Sequence, residues 1–153
     1  MTSLIRPRQN GPFRYDVYLG FGIFDLPIVN DLREKLEQRD ILCYPKYDAA
    51  DCQHNIKSAI AEGISRSRKC LLYLSPSLIE DPWYQLEVAE VRHKAKRFSR
   101  DMVIILKHPQ LASVPSEFNE YTVISLHDVD TLKNSEFLNH LAEALKKGTC
   151  FDF

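Results

Sequence analysis

The stretch CLLYLSPSLIEDPWYQLEV, residues 70–88, decides the fold class. Its first part is apolar until Ser75, which is typical of a strand that is buried on both faces of a sheet. Its second part has Asp81 and Pro82 at the predicted start of a helix. A fully buried strand that leads into a helix indicates a βαβ unit with parallel strands.

The same alternation of strand and helix extends along the chain. Apolar runs predict strands, and apolar residues at helical spacing between them predict helices. The predicted strands cover residues 16–20, 41–44, 70–75, 102–106 and 122–126. The segment between the last two strands carries two prolines and little periodicity, so we expect it to be irregular. The pattern predicts an α/β domain with a five-stranded parallel sheet flanked by helices.

The chain has the length of one domain. Its 153 residues are 44% hydrophobic, which is enough for a sizeable core. We assign residues 1–13 to a flexible N-terminal arm, residues 14–147 to the domain and residues 148–153 to a C-terminal tail.

Composition excludes several classes of function. Lys and Arg number 20 and Asp and Glu number 21, so binding to nucleic acid through bulk positive charge is not expected. No apolar run reaches the length of a membrane span, and the N-terminus lacks the apolar core of a secretory signal. The four cysteines form no C-x-x-C pair, which favours a reduced, cytoplasmic setting. The histidines have no ligand spacing, so no metal site is predicted.

The turn after the first strand reads G-x-G-x-x-D over residues 20–25. A dinucleotide-binding turn has a third glycine where this chain has Asp25, and it needs an acidic residue at the end of strand two, where Tyr44 and Pro45 stand. A bound redox cofactor is therefore not predicted. The two glycines, Gly20 and Gly22, are also consistent with a tight turn alone.

Trp83 and Glu87 are four residues apart, so a helix would place them on one face. One interpretation is an ordinary surface glutamate beside a partly buried tryptophan. The other is a carboxylate that projects toward the edge where parallel strands end and ligands bind, and that stabilises a developing positive charge there.

Several segments together resemble the TIR domain family. YDVYLGF at residues 15–21 is similar to the family's first box, SRKCLLYLSPSLIEDPW at residues 67–83 to its third-strand signature, and W-x-x-x-E at Trp83 and Glu87 to its helix signature. The likeness covers about residues 15–147. It implies a flavodoxin-like three-layer fold whose sheet has the strand order 2-1-3-4-5.

The resemblance implies two possible functions. Some TIR domains are signalling scaffolds, in innate immunity or cell death, that associate with themselves and with other TIR domains. Others cleave NAD+ at the nicotinamide–ribose bond and release nicotinamide with ADP-ribose or its cyclic form. In that branch NAD+ is a substrate, no cofactor is needed, and the catalytic glutamate maps onto Glu87. The substrate-binding residues that we predict for this activity are Gly20, Phe21, Gly22, Asp48, Ser75 and Trp83.

The sequence departs from both branches. Enzymatic members often carry arginine or other polar residues after the first strand, where this chain has Phe21, Gly22 and Ile23. Signalling members often have a proline–glycine pair in the loop after strand two, and PKYDAADCQ at residues 45–53 lacks it.

Overall fold

The computed structural model describes residues 13–44, 46 and 56–147. A five-stranded sheet lies at its centre, with the strand order β2-β1-β3-β4-β5 and parallel pairing throughout. The fold class and the strand order are both as predicted. The strands are β1 Tyr15–Gly20, β2 Cys43–Tyr44, β3 Ser67–Leu74, β4 Val103–Lys107 and β5 Thr122–Ser125.

Helices cover both faces of the sheet, and each face has its own core. The described helices are α1 Leu26–Glu37, α2 Ile56–Arg66, α3 Pro76–Ile79, α4 Tyr84–Arg97 and α5 Ser135–Lys146. On one face α1 and α5 bury leucines such as Leu32 and Leu141. On the other face α2 and α4 bury Ile60 and Val91. Apolar residues at helical spacing face the sheet in α1, α2 and α5, which is why the periodicity located these three helices. Asp81 and Pro82 were the signal for α4.

The central strand β3 begins three residues earlier than the sequence predicts, and its extension is polar. Ser67, Arg68 and Lys69 are all buried. Arg68 donates to the carbonyls of Leu145 and Lys147, and Lys69 Nζ donates to Ala144 O at 3.0 Å. These carbonyls end α5, where backbone acceptors lack helical partners and a positive charge is favourable. The cations are therefore buried as caps of a distant helix.

Two other elements differ from the predictions. Three of the four β5 residues are exposed, although the apolar pattern predicts a strand buried on both faces. β5 is the edge strand, so no neighbour covers its outer side. Strand β2 has two residues instead of the predicted four. The segment before β5 is irregular, as predicted, apart from a 3₁₀ turn at Ser116–Phe118.

The helix that carries the W-x-x-x-E motif starts later than predicted. The Trp83 N–H donates to Asp81 Oδ1 at 2.8 Å, and the Tyr84 N–H donates to Asp81 O at 3.0 Å. This turn occupies the position where Pro82 was expected to open the helix, so α4 begins at Tyr84 with Trp83 as its N-cap. The short helix α3, which Ser75 caps, was not predicted.

The folded part of the chain includes Phe13, which the sequence analysis assigned to the arm. Phe13 is buried, and its ring centroid lies 5.6 Å from that of Phe98. The ammonium nitrogen of Lys94 lies 4.3 Å from the centroid of the Phe13 ring. A cation over an aromatic face is attractive, so this contact fixes the start of the domain against α4. The rest of the predicted arm and the predicted tail lie outside the described residues.

Cys43 and Cys70 are free thiols in the interior. Burial raises the pKa of Cys70 to about 12, which makes this thiol unreactive at neutral pH. Cys52 and Cys150 lie outside the described residues. Across residues 13–44, 46 and 56–147, no helix combines the length and apolar character that crossing a bilayer requires.

We predict that Arg68→Ala lowers the free energy of unfolding by about 1.5–3 kcal/mol, because two carbonyls at the end of α5 lose a charged donor. Urea denaturation followed by circular dichroism measures the change. Arg66→Ala is the matched control, since the Arg66 side chain forms an exposed ion pair with Glu62 at 3.9 Å, and we expect a loss of at most about 1 kcal/mol. Equal losses in both variants would contradict the capping role.

Candidate functional site

The edge of the sheet where the strands end carries most of the predicted site residues. Gly20 ends β1, and the following residues form a 3₁₀ turn, Ile23–Asp25, that leads into α1. A Cβ at Gly20 would lie 2.9 Å from Glu87 Oε2, and a Cβ at Gly22 would lie 2.5 Å from the backbone of Ser77. The φ angle of Gly22 is −81°, an ordinary value for any residue. Close packing against α4 and α3 therefore requires both glycines.

Glu87 lies inside the protein, beneath this edge. Its side chain belongs to the first turn of α4 and is 1% exposed. The Tyr18 hydroxyl donates to Glu87 Oε2, and Lys46 Nζ lies 3.0 Å from each carboxylate oxygen. Burial raises the pKa of Glu87, and the positive charge of Lys46 and the Tyr18 hydrogen bond oppose that rise.

Lys46 is the centre of this buried network. It is 1% exposed, donates to Phe21 O at 2.7 Å, and its ammonium lies 5.2 Å from the centroid of the Phe21 ring. A buried ammonium needs a counter-charge and acceptors, and Glu87 and the Phe21 carbonyl supply them. The network joins β1, the turn after β1, the residue that follows β2 by two positions, and α4.

The first interpretation of the W-x-x-x-E motif, an ordinary surface glutamate, is wrong. The second, a carboxylate that stabilises a developing positive charge at this edge, stays a prediction. Glu87 is not a surface glutamate, and its carboxylate is bound by a lysine and a tyrosine. Trp83 is 37% exposed at the N-cap of α4. The two residues are one helical turn apart, since the Glu87 N–H donates to Trp83 O at 2.9 Å, but the Glu87 side chain is buried and the Trp83 side chain is partly exposed.

The remaining predicted site residues are divided between the core and the loop after β2. Phe21 is 3% exposed and packs in the core beneath α1 and α5, so its ring has no free face for stacking in this conformation. Ser75 is buried, caps α3 by accepting from the Leu78 N–H at 3.2 Å, and donates to the Asp25 carboxylate. Asp48 lies outside the described residues.

The structure brings Gly20, Phe21 and Glu87 together through Lys46 and Tyr18, which the sequence analysis did not select. Ser75 forms a separate contact with Asp25. The sequence contains one signal that could have placed Lys46 in the site. Lys46 comes two positions after the last residue of β2, at the edge of the sheet where the strands end. Tyr18 gave no such signal, because a tyrosine within an apolar strand is indistinguishable from a core residue.

Grooves occur elsewhere on the surface. One of about 550 Å³ lies between α1 and the 3₁₀ segment Val129–Lys133, and one of about 420 Å³ runs along α4. Glu87 lines neither groove. Within the described parts of the chain, no cluster of three His, Cys, Asp or Glu side chains is placed to hold a metal ion.

We predict that Lys46→Met lowers the free energy of unfolding by about 3–5 kcal/mol, because it leaves the Glu87 carboxylate buried without its cation. The double variant Lys46→Met/Glu87→Met recovers most of that loss, since no buried charge remains. Urea denaturation of the two single variants and the double variant gives the coupling directly. A double variant as unstable as Lys46→Met would contradict the pairing.

The pH dependence provides a second test of the pair. The folded-state pKa of Glu87 is raised, and loss of Lys46 removes an opposing effect, so folding of Lys46→Met takes up a proton. The double variant lacks Glu87, so we compare the free energy of unfolding of Lys46→Met with that of the double variant. Relative to the double variant, Lys46→Met is most stable below the pKa of Glu87 in the unfolded chain, about 4.3, and it loses that stability as pH rises through the pKa of Glu87 in the folded protein. Denaturation midpoints between acid and neutral pH measure this, and a difference independent of pH would contradict it.

The model of the TIR domain family matches residues 17–145. No curated protein matches the chain.

Two solved structures are similar in fold. One is the TIR domain of the Toll-related receptor TRR-2 from Hydra magnipapillata, with 19% identity, a TM-score of 0.67 and coverage of 87% of this chain and 99% of that chain. The other is a metazoan TIR-STING receptor from C. gigas in complex with 2′,3′-cGAMP, with 15% identity, a TM-score of 0.68 and coverage of 89% of this chain and 40% of that chain. The family match spans most of the sequence, from the first strand to the last helix, and this chain belongs to the TIR domain family.

Proposed function

We propose that this chain is a signalling module that acts by associating with copies of itself and with other TIR domains. TIR domains generally act in signalling and interact with one another. The observation that supports this function best in the present chain is a group of exposed apolar side chains at the edge where the strands end.

This group, the edge patch, consists of Ile23, Phe24 and Trp83. Their exposures are 43%, 86% and 37%. Asp81 joins the two segments that carry them, because its carboxylate accepts from the Ile23 N–H at 3.4 Å and from the Trp83 N–H at 2.8 Å. Single exposed apolar residues are common, but several of them on neighbouring segments are typical of an interaction site.

The basic end of α4 is weaker evidence for an interaction surface than the edge patch. Arg92, Lys96 and Arg97 are exposed there, and such a run on a helix is also what an ordinary solvated face contains. The edge patch has no comparable explanation in terms of solubility, since a phenyl ring in water is unfavourable.

We predict that the chain self-associates as its concentration rises and that Ile23→Ser/Phe24→Ser weakens this association at least ~10-fold, because apolar contact area is lost. Sedimentation velocity over a concentration series measures the change. The matched control is Val123→Ser, which removes an exposed apolar side chain from β5 and leaves association unchanged. A chain that stays monomeric at the highest concentration would overturn the proposal.

The second candidate function is cleavage of NAD+ at the nicotinamide–ribose bond. The position of Glu87 favours it, since this carboxylate lies beside Gly20 at the end of β1 and follows an exposed tryptophan by one helical turn. Bond cleavage builds positive charge on the ribose, and a nearby carboxylate stabilises that charge more than the neutral sugar.

In this proposal the buried network must open before the reaction. Lys46 withdraws from Glu87, and the ribose hydroxyls take its place as hydrogen-bond partners of the carboxylate. Gly20 and Gly22 leave space for the substrate to approach the backbone, and Trp83 stacks on a ring of the substrate. Asp48 and Ser75 are the remaining proposed polar contacts. NAD+ is the substrate and no cofactor takes part.

We predict nicotinamide release by the concentrated wild-type chain and a ~10²–10³-fold slower rate for Glu87→Gln, which keeps the shape of the side chain and removes its charge. Chromatographic detection of nicotinamide measures both rates, and thermal melting confirms that the variant is folded. Val123→Ser again serves as the control with an unchanged rate. Equal release by wild type and Glu87→Gln, or none from either, would exclude this function and leave the assembly proposal intact.

A further inference from the structure

We propose that Phe24 inserts into the groove between α1 and the 3₁₀ segment Val129–Lys133 of a second copy of this chain, across a two-fold axis. We call this site the anchor groove. The inference rests on the self-association proposed above and identifies the contact through which it occurs.

Phe24 has the properties of an interface anchor. At 86% its exposure is about twice that of the next large apolar side chain, Ile23, among the described residues. A phenyl ring that moves from water into a pocket buries about 150–250 Å². Aromatic anchors of this kind contribute much of the binding free energy of protein interfaces.

The anchor groove has the chemistry that such a ring requires. Its volume is about 550 Å³, and its apolar lining comes from Pro27 and Ile28 on α1 and from Val129 and Leu132 opposite. This size lies within the range of sites that hold organic groups. The groove therefore has room for one phenyl ring and is lined by the side chains that favour its entry.

The location of Phe24 beside the groove favours a two-fold axis between the two copies of the chain. Phe24 lies in the 3₁₀ turn Ile23–Asp25, which continues directly into α1, and it precedes Ile28 by four residues, which places both on one side of the helical segment. When an anchor and its groove are neighbours on one surface, a two-fold axis between them places each anchor in the groove of the other copy. Such a contact closes on itself and ends at a dimer.

The charges at the rim of the groove permit contact with an identical surface. Asp31 pairs with Lys35 at 3.1 Å, and Asp130 lies 3.9 Å from Lys133, so the rim carries two negative and two positive charges. A second copy therefore meets no net repulsion.

Two other grooves lack this balance. The groove at the start of α5 is lined by Asp128, Asp130 and Glu136. The groove along α4 is lined by Arg92, Lys96 and Arg100 with Glu120 opposing them, so its net charge is positive. A two-fold contact at either groove would bring like charges together, which is unfavourable. A further groove, between the end of α1 and α5, is also balanced in charge through Arg39, Asp40, Glu143 and Lys146, but its lining is mostly polar. Charge balance together with an apolar lining therefore favours the anchor groove for self-association.

Sedimentation equilibrium of the 153-residue chain tests the proposal. We expect the wild-type mass to level off at two chains. Phe24→Asp and Pro27→Arg each weaken dimerisation by about 30-fold or more, since the first removes the anchor and the second places a charged side chain in the groove. Both positions are exposed, so the variants fold, and circular dichroism confirms it. The control Val123→Asp changes the dissociation constant less than about two-fold.

Mixing the two weakened variants is the decisive measurement. Phe24→Asp retains an open groove and Pro27→Arg retains the anchor, so a mixed dimer contains one complete contact and forms more readily than either variant alone. A mixture no stronger than its components would overturn insertion into the groove, and a mass that grows beyond two chains would overturn the two-fold axis.

The remaining outcomes separate this inference from the proposed function. Wild-type association that Phe24→Asp and Pro27→Arg leave unchanged would overturn the anchor groove and leave assembly through another surface. Loss of association in Asp128→Lys or Lys96→Glu alone would assign the contact to one of the charged grooves. A wild-type chain that remains monomeric throughout would overturn both proposals.

Discussion

The buried pair of Lys46 and Glu87 is the constraint on which this edge of the protein depends. Two opposite charges, each almost without solvent exposure, are stable only when every polar atom has a partner. Tyr18 and the carbonyl of Phe21 belong to that set. Because the four residues come from four segments, the network fixes where β1 ends, how the next turn runs and how α4 approaches the sheet. Gly20 follows from the same constraint, since a Cβ there would lie 2.9 Å from Glu87 Oε2, whereas Gly22 is required by the close approach of Ser77 in α3.

This constraint has opposite consequences for the two functions. A catalytic carboxylate must exchange protein partners for substrate, so the same contacts that stabilise the fold oppose catalysis by Glu87. Self-association needs no such change, because the edge patch is already exposed on the outer side of the turn. The network would support the proposed assembly, because it holds the inner side of the turn against buried groups while Ile23 and Phe24 are exposed.

Much of the fold was predictable from the sequence because burial on both faces gives a strong apolar pattern. The runs that became β1, β3 and β4 located the central strands, and the helical stripes located α1, α2 and α5. The pattern failed where buried residues are polar, as at Arg68 and Lys69, whose partners lie on a helix more than 70 residues away. It also failed at β5, because an apolar edge strand and an apolar central strand have the same local sequence.

The candidate site was predictable in part, since the motifs selected Glu87 and both glycines. Their surroundings were not, because Lys46 and Tyr18 reach Glu87 only after separate strands and a helix have packed. The sequence by itself determined the parallel α/β architecture, through hydrophobic periodicity that each segment carries alone. Only the tertiary structure decided that Glu87 is buried and Phe24 exposed, because the environment of a side chain depends on which distant residues fill the space around it.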